Sequence, residues 1–323
     1  MTREFDSFKI DRGESRGRCE LPFVLACQNL TVRRKSSCEH VIIQMNPHAE
    51  FDQPADLGPA RAGSDNQSPN PFKLGLSTHQ IQIGLWSSLC SHIVAEVIAG
   101  AGFDWIVIDG EHAPNELSDV VHQLQAMSSY PVEPVVRIPC GDAVIIKRYL
   151  DAGARSLLVP MVRDALAAAN IVAATRYPPC GIRGVSVAHR ANRFGRIKDY
   201  MKRATENLCI VAQIETAEAV SNVEAIASVD GIDGLFVGPS DLAADLGHLG
   251  EPEHPKVQAA IMSAIQRCNG AGKPMGILTP NLGDANRYLE LGFAFVAVGS
   301  DVGILARQSE CLASSFGRWK RVR

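Results

Sequence analysis

The chain has 323 residues, of which 46% are hydrophobic and 21% charged. This length and composition suffice for one large core, and α/β barrels commonly use such a length as a single domain. A formal net charge of −3 offers no basic field to a phosphate backbone, so we expect no nucleic-acid partner. There is no run of about 18 apolar residues and no apolar stretch typical of a secretory signal, so we expect no membrane partner.

The cysteines indicate a reducing compartment. There are nine, an odd number, and none forms a CxxC pair, which predicts free thiols in a cytoplasmic protein. Cys19, Cys27, Cys38 and His40 can be combined into a zinc cluster, but their spacing fits no paired-ligand pattern.

Residues 1–69 differ from the rest of the chain. They carry scattered charge, the turn-rich run DQPADLGPARAGSDNQSPNP and only short apolar patches. Such a segment buries too little apolar surface to fold independently. We predict a disordered or loosely packed extension over 1–69 and a folded domain over 70–323. A start at Met45 is an alternative interpretation of this region.

From Pro71 onward, short apolar runs alternate with longer amphipathic stretches. Continuous apolar strands separated by helices are typical of a parallel sheet covered on both faces. Eight such units predict an α/β fold, a (β/α)8 TIM barrel, with an additional C-terminal helix over 304–316. The predicted strands are QIGLW (82–86), DWIVID (104–109), PVVRI (134–138), SLLVP (156–160), CIVAQIE (209–215), GLFVG (234–238), MGIL (275–278) and AFVAVG (294–299).

One long interruption, residues 177–207, falls between the fourth helix and the fifth strand. It exceeds the usual length of a connection, which favours a functional role over a purely connecting one. Because it starts at the amino-terminal face of the barrel, part of it must pack elsewhere or along the side.

Polar residues collect where strands end, which is where barrel enzymes place their chemistry. Glu215 and Asp241 follow neighbouring strands, about 5 Å apart by sheet spacing. Two carboxylates without thiolate or imidazole suit a hard cation such as Mg²⁺ or Mn²⁺. The alternative is structural, with Glu215 capping a helix and Asp241 forming a turn.

Arg137 and His112 lie at the same predicted rim. A guanidinium within an apolar strand must meet a carboxylate, because burying it unpaired is costly. That carboxylate belongs either to a 2-oxo acid substrate or to a structural partner, Glu133 or Asp109. His112 follows Asp-Gly-Glu in a strand-to-helix loop, where it serves as a general acid–base or simply faces solvent.

Other residue types argue against rival chemistry. A Schiff-base mechanism needs a lysine at the carboxyl end of a strand, but Lys273 precedes the seventh strand and Lys147 lies in a helix. P-loop, GxSxG and dinucleotide motifs are lacking. The remaining histidines of this region lie in no comparable group and are interpreted as surface or packing residues: His79, His92, His122, His189, His248 and His254.

Over about residues 70–317, the motifs resemble the HpcH/HpaI aldolase/citrate lyase family. The resemblance runs through NPFK, QIGLW, AGAGFDWIVIDGEHAPN, PVVR, LLVPMV, ATRYPPCGIRGV, QIET, DGLFVGPSDLAADLG, HPKVQAAI, YLELG and FVAVGSD. Within the family it is nearest to the aldolases of 4-hydroxy-2-oxoheptanedioate and 2-keto-3-deoxy-L-rhamnonate. Departures such as GSDV at 299–302 touch the rim and leave the aldehyde open.

The resemblance implies a class II pyruvate aldolase that cleaves a 4-hydroxy-2-oxo acid to pyruvate and an aldehyde through a metal-stabilised enolate. One divalent cation per subunit is implied, Mg²⁺ or Mn²⁺ first and Co²⁺ or Zn²⁺ as alternatives. It also implies a homohexamer, a dimer of trimers, with the final helix exchanged between neighbours. The implied residue roles are metal ligands at Glu215 and Asp241, enolate stabilisation at Arg137, acid–base work at His112 with Asp109 and Asp151 in its network, and substrate contacts at Gln213, Ser240, Asp241 and Trp86.

Two other functions remain open from the sequence. An acyl-CoA lyase of the malyl- or citramalyl-CoA type would use the same barrel and needs a basic surface for the CoA phosphates. The other is a catalytically silent barrel that acts as a binding scaffold. The candidate basic surface for CoA is the cluster Arg183, Arg190, Arg193 and Arg196.

Overall fold

The structure is a computed structural model that describes residues 68–316. The predicted extension, residues 1–69, lies outside the described residues except for Ser68 and Pro69. The candidate zinc cluster in that extension lies outside them as well.

Eight parallel strands form a closed barrel in sequence order, which confirms the predicted (β/α)8 fold. All five residues of the second strand are buried, as are all six of the fifth. Burial on both faces explains why these strands read as unbroken apolar runs. The strands are β1 (Gln82–Ser87), β2 (Trp105–Asp109), β3 (Glu133–Arg137), β4 (Ser156–Val159), β5 (Cys209–Ile214), β6 (Gly234–Val237), β7 (Met275–Leu278) and β8 (Phe295–Ser300).

Helices lie between the strands and cover the barrel. Those of the first half are α1 (Pro71–Ser77), α2 (His92–Ala99), α3 (Leu117–Met127), α4 (Ala143–Ala152), α5 (Ala165–Thr175) and α6 (Tyr200–Arg203). Those of the second half are α7 (Ala217–Ser221), α8 (Val223–Ala227), α9 (Pro239–Asp245), α10 (Pro255–Gly270), α11 (Leu282–Glu290) and α12 (Asp301–Ser315).

Helix α4 illustrates how local sequence sets these boundaries. The Asp142 side chain accepts hydrogen bonds from the amides of Val144 and Ile145, which have no partner within the helix. The helix ends at Gly153, whose φ of 104° is left-handed and therefore favours glycine.

Two short helices follow the fifth strand. The sequence over 216–229 reads as one amphipathic stretch, but it forms α7 and α8 with a break at Asn222. The Asn222 side chain donates a hydrogen bond to the carbonyl of Arg163, 2.9 Å away. The break between α7 and α8 is thus tied to the segment that precedes α5.

Helix α1 lies against the aromatic interior of the barrel. The ring of Phe72 lies 5.4 Å from that of Trp105 and 5.5 Å from that of Phe295. Lys73 Nζ donates to the carbonyl of Leu208, immediately before β5, so α1 lies at the amino-terminal end of the strands. Burial of these rings stabilises the end of the barrel remote from the predicted site.

A buried ion pair also lies at this amino-terminal end. Arg155, just before β4, donates from Nε to Glu133 Oε1 (2.9 Å) and from Nη2 to Glu133 Oε2 (2.6 Å). Glu133 is the first residue of β3, and both side chains are buried. Glu133 is therefore the partner of Arg155 and not, as one alternative had it, of Arg137.

The long connection 177–207 packs on the carboxyl end of α4. It contains a 3-10 turn at Arg190–Asn192 and has a small core of its own around Ile197 and Tyr200. Arg190 donates to the carbonyl of Ala152, the last residue of α4. Part of this connection therefore packs against α4, one of the helices that cover the barrel.

Helix α12 is attached through its first residue. Asp301 is buried and accepts hydrogen bonds from the amides of Ser88 and Leu89. Beyond it the helix exposes Ile304, Leu305 and other apolar side chains. Over residues 68–316, no helix combines the length and apolar character needed to cross a membrane.

Candidate active site

A buried ion pair between Asp109 and Arg137 lies at the carboxyl ends of β2 and β3. Strand register places the two residues directly opposite each other. Arg137 Nε donates to Asp109 Oδ1 (2.9 Å) and Nη2 to Oδ2 (2.7 Å), a two-point contact. Of the two structural partners considered for Arg137, the structure selects Asp109.

This pair still leaves Arg137 able to bind a substrate. A guanidinium has five N–H groups, and Asp109 accepts from two of them. Its Nη1 faces Glu111, whose Oε2 lies 2.9 Å away as an ion pair without good hydrogen-bond alignment. A negatively charged oxygen at the barrel mouth could therefore receive hydrogen bonds from the same side chain.

Trp86 supports the ion pair from β1. Its indole N–H donates to Asp109 Oδ2 (3.2 Å), and the guanidinium carbon of Arg137 lies 5.0 Å from its ring centre. A cation over an indole face is attracted by the ring. Trp86 is buried, and its contacts fix Asp109 and Arg137 in place. Its contact with substrate stays a prediction.

His112 lies at the exposed edge of this group. Its side chain is 63% exposed, and its Nε2 lies 3.8 Å from Glu111 Oε2. Asp109, predicted to belong to the histidine network, receives the backbone N–H of His112 (3.3 Å). The carboxylate that lies close to the imidazole is therefore that of Glu111.

The two acids of the IDGEH turn have opposite pKa shifts. Burial alone would raise the pKa of Asp109, but the hydrogen bonds and charge of Arg137 outweigh it and hold that pKa below its ordinary value. Burial also raises the pKa of Glu111, and the charge of Arg137 only partly offsets it because Glu215 adds repulsion. Asp109 thus stays ionised while Glu111 is the more easily protonated.

Glu215 extends from β5 into the same group. It is 2% exposed, its Oε1 accepts the N–H of Met161 (2.6 Å), and its Oε2 accepts from the amide of Gln213. Burial is the main cause that raises its pKa, and the charge of Asp241 adds to the effect. Hydrogen bonds thus hold the Glu215 carboxylate in place, but the nearby positive charge does not fully balance its negative charge.

Asp241 and Ser240 lie in the first turn of α9, after β6. Register pairs Gln213 with Phe236 and Ile214 with Val237, so β5 and β6 deliver Glu215 and Asp241 to the same end of the barrel. Asp241 is exposed, and the first-turn amides at Ser240 and Asp241 have no carbonyl one turn earlier within the helix. The Asp241 carboxylate and these amide groups therefore lie at the carboxyl end of the barrel.

These residues fit a divalent cation. Glu215 and Asp241 supply hard oxygen ligands, and Glu215 is short of positive charge. The Oε1 of Gln213 is buried and has no hydrogen-bond partner among the described residues. An oxygen-lined site with an unpartnered acceptor is what a bound cation and its ligands would satisfy.

Gly238 makes room for this arrangement. A Cβ at this position would lie 2.7 Å from Glu215 Oε2 and 3.3 Å from the Gln213 amide nitrogen. Any larger residue would therefore push the carboxylate out of position. The sequence placed Gly238 at a strand end without indicating this close approach.

Asp151 lies away from this group. It accepts a hydrogen bond from Arg183 Nη2 (2.7 Å), and His189 Nε2 lies 3.8 Å from it. It follows that Asp151 belongs, in one chain, to the contact between α4 and the 177–207 connection. Arg183 itself is 1% exposed, and Arg190 donates to the carbonyl of Ala152. These two arginines therefore do not join the others in the exposed basic surface that was considered for CoA phosphates.

Neither of the two lysines considered for a Schiff base lies at the site. Lys273 Nζ donates to the carbonyl of Ile232, which precedes β6 at the amino-terminal end of the barrel. Lys147 lies in α4, with its side chain against Gly184. The prediction that these two lysines lie away from the catalytic rim is confirmed.

The protein is a TIM barrel, since its eight parallel strands close in sequence order. Carboxylate side chains, an arginine and an exposed histidine lie at the carboxyl rim, where enzymes of this fold class place their active sites. The model of the HpcH/HpaI aldolase/citrate lyase family matches residues 82–307. The chain belongs to this family. It is an aldolase, a carbon–carbon lyase.

The chain is also similar to named aldolases in sequence and to a member of this family in structure. The chain is 56% identical over 254 residues to the 4-hydroxy-2-oxo-heptane-1,7-dioate aldolase of Salmonella dublin, covering 78% of this chain and 97% of that protein. It is 54% identical over 248 residues to the 5-keto-4-deoxy-D-glucarate aldolase of Escherichia fergusonii, covering 77% and 97%. A family member from Burkholderia cenocepacia superposes with a TM-score of 0.75 at 41% identity, covering 76% of this chain and 98% of that one.

Proposed function

We propose that the protein is a divalent-metal-dependent pyruvate aldolase that cleaves a 4-hydroxy-2-oxo acid to pyruvate and an aldehyde. The observation that carries this proposal is the gathering of Glu215, Asp241, Arg137 and His112 at one end of the barrel. Charge interactions connect three of them, since Glu215 is influenced by both Asp241 and Arg137. The two carboxylates repel each other, and Arg137 supplies a counter-charge to Glu215.

Glu215 and Asp241 would hold the cation. When bound, it would polarise the 2-oxo group and offset negative charge that develops there. Gln213 would lie beside the 2-oxo group, because its amide nitrogen donates to Glu215 and so keeps its side chain next to a proposed metal ligand. The first-turn amides of Ser240 and Asp241 would hold the substrate carboxylate.

Arg137 would stabilise the charge formed on the pyruvate half. Asp109 and Trp86 fix its guanidinium in position before substrate arrives, so little reorganisation is needed during the reaction. Asp109 acts through Arg137 and through the backbone of the 111–112 turn, so we assign it a positioning role.

His112 would take the proton from the C4 hydroxyl of the substrate. The C3–C4 bond then breaks, C4 becomes the aldehyde carbonyl, and the bonding electrons remain on the three-carbon half as pyruvate enolate. A proton delivered to C3 completes pyruvate. An exposed imidazole beside Glu111 suits this work because it can exchange protons with solvent.

The aldehyde product is proposed to carry a carboxylate. Both relatives described above are named for diacids, a heptane-1,7-dioate and a glucarate. Cleavage of a diacid between C3 and C4 leaves one carboxylate on each product. Substrates of both types therefore belong in the first assay.

We further propose a cytoplasmic homohexamer, a dimer of trimers that exchanges its last helix. The described cysteines are all free, which suits a reducing compartment. Helix α12 exposes an apolar surface that a neighbouring chain could cover; its members are Val302, Ile304, Leu305, Leu312 and Phe316. Light scattering should give a particle of six 34.8-kDa chains.

The decisive assay is pyruvate release from 4-hydroxy-2-oxoheptanedioate, coupled to lactate dehydrogenase. We expect no release after EDTA treatment and full release when Mn²⁺ or Mg²⁺ is restored. Glu215→Gln and Asp241→Asn should abolish the metal-restored activity, whereas Glu218→Gln, an exposed acid in the following helix, should retain it. Metal-independent release, or full activity of both variants, would refute the assignment.

A further inference from the structure

A second group of metal-binding side chains lies on the connection between α9 and α10. His248, Glu251 and His254 each offer one donor atom, and the three donors lie within 4.8 Å of one another. This group shares no residue with the proposed site at Glu215 and Asp241. From the sequence, both histidines were interpreted as surface or packing residues.

The backbone holds the three side chains together. The amide of His248 donates to the carbonyl of Ala243 (2.7 Å), that of Glu251 to His248 (2.9 Å), and that of His254 to Glu251 (3.0 Å). Successive turns with a three-residue step bring the side chains to one side of the connection. Much of the ordering needed for a shared ligand is therefore present before the ligand arrives.

The two imidazoles are close and nearly parallel. Their ring centres lie 3.5 Å apart with planes 15° from parallel, and His248 Nδ1 lies 3.9 Å from Glu251 Oε2. The lone pairs of two nearly parallel rings lie in separate planes, so one ring must turn before both nitrogens can face a single ion. A neutral imidazole is the form that binds metal.

The hydrogen bond that holds His254 is weak enough to be exchanged. Its Nδ1 accepts from the amide of Lys256 at 3.3 Å, at the start of α10. Metal binding through either ring nitrogen would break this bond, and water could then accept the freed N–H at the exposed helix start. The loss is small beside a metal–imidazole bond.

We propose that His248, Glu251 and His254 form a second metal site, specific for Zn²⁺ or a similar borderline cation. Two nitrogens and one carboxylate oxygen suit zinc, with a fourth position for water, whereas Mg²⁺ prefers an all-oxygen set. Tetrahedral zinc with bonds near 2.1 Å places donors about 3.4 Å apart. The donors must converge by up to about 1.4 Å. The Glu251 side chain, 65% exposed, is free to move, and one of the stacked imidazoles must turn toward the ion.

The proposal predicts two sites with different preferences in one chain. The all-oxygen pair would favour Mg²⁺ or Mn²⁺, and the His–Glu–His site would favour Zn²⁺ or Cu²⁺. Zinc at the second site would cross-link the ends of the 248–254 segment. It would therefore stabilise the connection that follows the helix carrying Asp241.

Zinc stoichiometry of the full-length chain tests this proposal. After metal removal, equilibrium dialysis against Zn²⁺ should give one ion fewer per chain in His248→Gln/His254→Gln than in its parent. The loss should also occur in a Glu215→Gln/Asp241→Asn background, so the outcome does not depend on the proposed active-site metal. His122→Gln, an exposed histidine elsewhere, is the matched control and should bind as the parent does.

Spectroscopy gives a second readout. Cu²⁺ bound to the Glu215→Gln/Asp241→Asn chain should show nitrogen hyperfine coupling that disappears with the two His248 and His254 substitutions. Unchanged zinc stoichiometry and unchanged nitrogen coupling in the histidine variants would overturn the proposal. The stacked rings would then be a packing contact only.

Discussion

Replacing Arg137 by lysine separates its structural contribution from its proposed catalytic one. Lysine keeps the positive charge but cannot reproduce the two-point contact with Asp109. Loss of one charge-assisted hydrogen bond to a buried carboxylate costs about 1.5–3 kcal/mol. For a chain of this size, that corresponds to a fall in Tm of about 3–12 °C.

The proposed catalytic effect is larger than this loss of stability would produce. A fixed donor that stabilises developing negative charge is worth roughly 10²–10³ in kcat. We therefore expect Arg137→Lys to lose at least 100-fold in kcat when assayed well below its Tm. Arg137→Ala should also be destabilised by about 3–5 kcal/mol, because it leaves Asp109 buried without a partner.

Arg155 is the matched control, because it makes the same kind of contact at the opposite end of the barrel. Its two-point contact with Glu133 is buried like that of Arg137 with Asp109. Arg155→Lys should show a similar fall in Tm by calorimetry and keep kcat within a factor of about three. Comparable loss of kcat in both variants, or near-normal turnover of Arg137→Lys, would refute the role of Arg137.

Three other substitutions test the rest of the site. Glu215→Gln should raise the Tm of the metal-free protein near neutral pH. Because the pKa of Glu215 is raised, its stabilising contribution is present at low pH and is lost as pH rises through that pKa. Calorimetry should show that the gain in Tm shrinks on acidification, and a variant less stable than the parent at neutral pH would contradict this. Gly238→Ala should weaken Mn²⁺ binding at least tenfold by calorimetric titration, since its Cβ would meet Glu215, whereas Gly270→Ala, with open space around it, should bind normally. His112→Gln should lower kcat about 10²–10⁴-fold. Its unfolding free energy should change by less than about 0.5 kcal/mol, because the side chain is largely exposed. Wild-type turnover of this variant would exclude His112 as the base.

The strands were predictable because a parallel barrel buries both faces of each one. Trp105–Asp109 has no exposed residue, so its apolar run is unbroken in the sequence. Helix α1 was not predicted, because PFKLGLS is short and contains Pro71 and Gly75. It forms because Asn70 caps its start and Phe72 packs on the barrel aromatics.

Site positions were predictable, but their pairing was not. A residue's place after a strand indicates the rim, so Asp109, Glu215 and Asp241 could be located from the pattern alone. The register sets Asp109 opposite Arg137, whereas Glu133 begins the same strand and lies at the other end of the barrel. The proximity of Glu111 to His112 depends on the path of one turn, and no periodic pattern in a sequence encodes that path.

The order of the site residues along the chain divides the chemistry in two. Trp86, Asp109 and Arg137 come from the first three strands, whereas Glu215 and Asp241 follow the fifth and sixth, beyond the 177–207 connection. A chain cut within that connection would therefore leave Arg137 and His112 on one fragment and the proposed metal ligands on the other. The proposed pyruvate release would then appear only when the two half-barrels reassociate, so turnover would report barrel closure.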